Sequence, residues 1–105
     1  MDNKAFSKLL EKRTRDFGIK IIRLSTVLPN TPEGREIRRQ ITKSGTSVGA
    51  NYREANRARS RADFKSRIKI CESEASETQY WLLPKNNFSH LNSLVTLVTL
   101  KRDTT

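Results

Sequence analysis

Phe6, Leu10, Phe17, Ile21, Leu24 and Leu28 recur near the start of the chain at intervals of four, seven, four, three and four. That rhythm places them on one face of a long helix. Arg13 or Thr14 fills the seam position between Leu10 and Phe17. Pro29 ends the segment, and LPNTPEG reads as a turn. Thr31-Pro32-Glu33 then opens a second helix. It offers a capping hydroxyl, a proline at the first turn and a carboxylate at the positive end of the dipole.

The second segment steps through Ile37, Ile41, Gly45, Val48, Tyr52 and Ala55 by four, four, three, four and three. The period runs unbroken through SGTSVG, so this glycine-containing stretch is helix rather than linker. Each glycine costs about 1 kcal/mol relative to alanine in a helix. Gly45 and Gly49 lie one turn apart, where a neighbouring helix can come close. Helix packing is therefore the role expected of Gly45, Gly49 and Tyr52.

In the third segment Ser60 is a cap with Asp63 three residues on. Phe64, Ile68, Cys71, Ala75, Thr78 and Leu82 form its seam, flanked by Tyr80 and Trp81. Pro84 ends it. A fourth, weaker pattern runs through Leu91, Leu94, Val95 and Val98 and is rich in β-branched residues. The expected helices cover residues 4–28, 32–58, 61–83 and 88–101 of a single domain, 1–105. Short connectors make the expected fold all-α, an antiparallel up-down four-helix bundle.

The chain has 105 residues and only 34% hydrophobic content, so its core is thin. Such helices expose wide polar faces or complete their cores against other subunits. Ile22, Ile70 and Trp81, off the seams, favour a subunit interface. The apolar runs are too short for a signal peptide or a membrane span. Cys71 is the one cysteine, which excludes an internal disulfide. A reducing cytoplasm is the expected compartment.

The net charge of +10 changes the picture most. In an up-down bundle the first helix's start, the second's end and the third's start share one end. Residues 1–16 and 53–69 hold twelve cations against five carboxylates, whereas Glu72, Glu74 and Glu77 lie further along the third helix. Such a cluster suits phosphates and gives affinity without base specificity. Arg53, Arg57, Arg59, Arg61, Lys65 and Arg67 are the candidate nucleic-acid contacts. The alternative is that these arginines pair with carboxylates of neighbouring helices or subunits. Tyr52, Tyr80 and Trp81 have ring faces on which bases can stack, but aromatics at helical spacing usually pack in the core.

Enzyme chemistry finds little support. Gly45-Thr-Ser-Val-Gly49 lacks the GxxxxGK[ST] of a phosphate loop. His90 is the only histidine, and nothing places Cys71 beside it. The expectation is a non-enzymatic protein without metal or cofactor.

SGTSVGANYREA, RARSRADF and ESEASETQYWL together resemble the four-helix-bundle proteins of intervening sequences in bacterial 23S ribosomal RNA genes, the S23 family. The resemblance covers roughly residues 13–83. Its hallmark positions are Ser44, Gly45, Ser47, Gly49, Asn51, Tyr52, Arg53, Glu54, Ala55, Arg57 and Arg59. It implies an all-α bundle assembling into a barrel-like homopentamer, with no catalytic residues. Relatives include accessory proteins of diversity-generating retroelements, which implies nucleic acid and a reverse transcriptase as partners. After Trp81-Leu82-Leu83 the chain departs from the family pattern, because Pro84 and KNNFSHLNSL replace a further turn of helix. The competing expectation is a protein–protein assembly adaptor whose charge serves only to steer.

Overall fold

The computed structural model describes residues 2–82, which form three helices and no strand. Helix α1 spans Asn3–Ser25, α2 spans Pro32–Ala55 and α3 spans Arg61–Trp81. The fourth segment, residues 88–101 with His90, lies outside the described residues, as does the expected third-helix end at Leu83.

Local chemistry sets the boundaries. Asp2 caps α1 by accepting from the Ala5 amide at 2.7 Å. Thr31 caps α2 through the Gly34 amide at 3.0 Å, with Pro32 in the first turn. Ser60 accepts from the Asp63 amide at 3.0 Å, and the Asp63 carboxylate accepts from the Arg59 amide at 3.3 Å. This is close to a capping box, with the acid reaching one residue beyond the cap.

The first two helices end three residues short of expectation. At the end of α1, Ser25 and Thr26 turn their hydroxyls onto the carbonyls of Ile22 and Arg23, each at 2.7 Å. Such back-bonding competes with helix continuation, and Leu28, before Pro29, is pushed away from helical backbone. At the end of α2, the amides of Arg57 and Ala58 bond three residues back, both at 3.0 Å. That tightening closes the last turn.

The middle helix, α2, packs against both α1 and α3, and no Cα of α1 lies within 8 Å of one in α3. The packing is antiparallel. Gly45 meets Ile21 and Gly49 meets Thr14, so α1 runs down as α2 runs up. Ser44 meets Thr78 across α2 and α3. The core joins Leu10, Phe17 and Ile21 of α1 to Ile41, Val48 and Tyr52 of α2 and Ile68, Cys71 and Ala75 of α3. Burying a side chain of Leu, Ile or Phe contributes about 1.5–3 kcal/mol.

Thr14, not Arg13, fills the gap in the first seam. It is 1% exposed, and its hydroxyl reaches the Leu10 carbonyl at 2.8 Å, so no polar atom is stranded. Trp81 differs from expectation. It is half-buried against the core and donates from Nε1 to Glu77 at 3.3 Å, whereas Ile22 and Ile70 are exposed. Gly34 is a close approach that periodicity does not announce. A Cβ there would run into the Pro29 carbonyl oxygen.

Candidate nucleic-acid interface

Antiparallel packing brings the start of α1, the end of α2 and the start of α3 together. Two clefts lie there. The first is a groove of about 590 Å³ between α1 and α2. Its charged half is lined by Lys8, Glu11, Lys12 and Arg15 from α1, by Arg53 in the last turn of α2 and by Arg57 just beyond it. Gly18, Thr46, Gly49 and Ala50 also line it, the two glycines with bare backbone, and Ile19 and Ile22 give it an apolar half. The second cleft sits at the turn between α2 and α3, lined by Glu54, Arg57, Arg59, Asp63 and Arg67.

Of the six expected contacts, Arg53 faces the groove, Arg59 and Arg67 face the turn cleft, and Arg57 lines both. Arg61 and Lys65 are exposed on the first turns of α3 and line neither cleft. Tyr52 is 0% exposed, which makes it a packing residue and not a base-stacking one. Burial raises its phenol above the ordinary value. Among the described residues no partner meets its hydroxyl at hydrogen-bonding geometry, although Ser7 and Asn56 face it.

The local carboxylates are largely engaged. Glu11 accepts from Asn56 Nδ2 at 2.9 Å, tying α1 to the end of α2. Asp16 accepts from Lys12 at 2.7 Å, and that hydrogen bond holds its carboxyl below the ordinary range. Asp63 caps α3 and pairs with Arg67 at 3.4 Å. Among the described residues, Lys8, Arg15, Arg53, Arg57, Arg59, Arg61 and Lys65 have no carboxylate within 4.0 Å. An end of the bundle with this many uncompensated cations has a positive potential that attracts polyanions.

Lys8, Lys12 and Arg15 belong to the groove, although they lie off the first seam and the expected contacts do not include them. The signal is present in the sequence. Lys8, Lys12, Arg15, Ile19 and Ile22 step by four, three, four and three, a second stripe on the face of α1 turned from the core.

Elsewhere, burial pushes the Cys71 thiol up to about 12. Burial, followed by the charge of Glu77, holds the Glu74 carboxyl above its ordinary value. Among the described residues no three His, Cys, Asp or Glu side chains gather to hold a metal, and no helix is long and apolar enough to cross a membrane.

Known proteins share this fold. The 23S rRNA-intervening sequence protein family matches residues 9–99. A crystal structure at 1.70 Å of a protein of unknown function from the S23 ribosomal protein family, from Bacteroides thetaiotaomicron VPI-5482, is 31% identical. It aligns over 93% of this chain and 95% of its own, with a TM-score of 0.80. No curated protein matches the chain. The three helices, the close-packed SGTSVG segment and the match over nearly the whole sequence have one reading: this chain belongs to the family of 23S rRNA-intervening sequence proteins.

Proposed function

We propose that this protein is a non-enzymatic helical bundle that oligomerises and binds RNA or DNA through its arginine-rich end. The carrying observation is the set of cations at that end that have no carboxylate partner while Glu11, Asp16 and Asp63 are already engaged. Arg57, Arg59, Arg61 and Lys65 offer charge to phosphates around the α2–α3 turn. Arg53 adds to it from the groove, and Arg67 serves while remaining paired to Asp63. Contacts of this kind follow the phosphate backbone and carry no base readout. The bundle assembles as a homopentamer, as the family resemblance implies.

Fluorescence anisotropy with a short labelled RNA duplex tests the reading. Binding should weaken steeply with salt, the logarithm of the association constant falling by about 0.9 per phosphate neutralised for each decade of salt. Absence of binding to RNA and DNA at low salt overturns it.

A second reading, a protein-binding adaptor that contacts a reverse transcriptase or another protein, draws on the exposed Ile19, Ile22, Val27 and Ile70. It predicts that such a partner, not nucleic acid, is retained at physiological salt.

A further inference from the structure

The α1–α2 groove has a divided lining that phosphate contact alone does not explain. One half carries Lys8, Lys12, Arg15, Arg53 and Arg57. The other carries Ile19 and Ile22, which are 41% and 45% exposed. Isoleucine offers nothing to a phosphate. Along α1, Gly18 falls between Arg15 and Ile19, and along α2, Gly49 and Ala50 fall between Arg53 and Thr46. A Cβ on Gly49 would stand 3.1 Å from the Thr14 carbonyl carbon, and one on Gly18 3.4 Å from Thr46 Cα. The two helices therefore meet backbone to backbone, and few side-chain atoms fill the floor between the charged and apolar halves. Among the described residues Glu11 is the one carboxylate of the lining, and Asn56 donates to it at 2.9 Å.

A duplex does not match this division. It presents phosphates outside and keeps the faces of its bases in the stack. An unpaired nucleotide does match it. It carries a phosphate on one side and a free base face on the other, and single strands are bound by basic grooves with an apolar surface against the bases.

We propose that the α1–α2 groove receives an unpaired stretch of a nucleic-acid strand. Its phosphates lie along Lys8, Arg15 and Arg53, and a base packs on Ile19 and Ile22. The inference deepens the nucleic-acid half of the proposed function and rests on it.

An acidic peptide is the other polymer that charge would admit. Continuity with the second cleft favours the nucleic-acid strand. Arg57 lines both clefts. Past it, Arg59 lines the turn cleft, and Arg61 and Lys65 stand exposed at the start of α3. A nucleic-acid strand has a charge at every nucleotide, so it can follow these cations from the groove to the turn. A peptide has to place carboxylates along the whole path and an apolar side chain at its far end.

Fluorescence anisotropy on the full chain tests this with three labelled probes. They are an unpaired oligouridine, the same strand annealed to oligoadenosine, and an oligoglutamate. The native chain should hold the single strand more tightly than the duplex. Ile19→Ser with Ile22→Ser changes exposed side chains only, so the helical circular dichroism should match that of the native chain. Its affinity for the single strand should fall by about fivefold, the loss expected when roughly 40 Å² of apolar contact is given up, while its duplex affinity stays native. Arg15→Ala with Arg53→Ala should lower the single-strand salt slope by about 0.7 for each phosphate contact removed. Equal affinity for strand and duplex, an isoleucine variant that binds the strand like the native chain, or equal weakening on strand and duplex overturns the inference. So does oligoglutamate bound as tightly as oligouridine, which would make the groove a peptide seat. Duplex binding that persists through any of these results leaves the reading of the arginine-rich end standing. No binding of either nucleic acid at low salt overturns both.

Discussion

Ile21 occupies the space that a side chain on Gly45 would need. A Cβ on Gly45 would lie 2.7 Å from Ile21 Cγ2 and 2.9 Å from Cγ1, and Ile21 is itself 0% exposed with no room to retreat. A β-branched side chain in a helix has essentially one rotamer, so it cannot swing aside. Gly45→Ala should overpack the α1–α2 interface at a cost of about 1–3 kcal/mol. The better helix propensity of alanine returns up to about 1 kcal/mol. Urea denaturation should therefore show a net loss centred on about 1 kcal/mol for Gly45→Ala. Unchanged or increased stability would mean that Ile21 does not confine this position.

Ser44 and Thr78 hydrogen bond across α2 and α3 at 2.9 Å, both 0% exposed. Each hydroxyl also has a carbonyl in its own helix, Ile41 for Ser44 at 3.4 Å and Glu74 for Thr78 at 2.8 Å. Removing one partner leaves the other's hydroxyl without its cross-helix bond. A double-mutant cycle with Ser44→Ala and Thr78→Val should give a coupling of about 0.5–1.5 kcal/mol. Strict additivity would show that the bond adds nothing.

Burial holds the Cys71 thiol neutral, with its pKa pushed up to about 12. An ordinary cysteine has a pKa of about 8.5. At pH 8 the native thiolate is therefore scarcer by roughly three orders of magnitude, and iodoacetamide should react correspondingly more slowly than with the unfolded chain. The sign of the pH effect follows. The fold favours the neutral thiol, so this stability is fully present below about 8.5 and is lost as pH rises from there toward about 12. Tyr52, whose phenol is also raised, adds in the same direction. Urea midpoints should fall on the alkaline side. Rapid alkylation of Cys71 in the native state at pH 8 would contradict this.

The seams were legible because burial imposes a period. Gly45, Val48, Tyr52 and Ala55 kept step through SGTSVG, and all four are buried. The caps at Thr31 and Ser60 were legible because their donors lie within three residues. Helix ends were less so. Ser25 and Thr26 stop α1 through hydroxyl back-bonds that no hydrophobic pattern reveals. Gly34 was hidden because its neighbour, the Pro29 carbonyl, depends on how the turn folds back. At the candidate site, the arginines of the α2–α3 turn could be named from their clustering. That Glu11 is held by Asn56, and that Lys8, Lys12 and Arg15 face the same groove as Arg53, required the two helices to be set side by side.

Whether one end of the bundle meets the phosphates is tested most directly by an end-specific salt titration. Three chains should be compared on one RNA duplex: native, Arg59→Ala with Arg61→Ala, and Arg39→Ala. Arg39 lies in the N-terminal half of α2, away from the α2–α3 turn, and pairs with Glu36 at 2.8 Å. The double variant should bind more weakly, with the salt slope reduced by about one for each phosphate that is no longer neutralised. Arg39→Ala should keep the native slope and affinity. Equal weakening in both variants, or native affinity in the double variant, would contradict binding through the arginine-rich end.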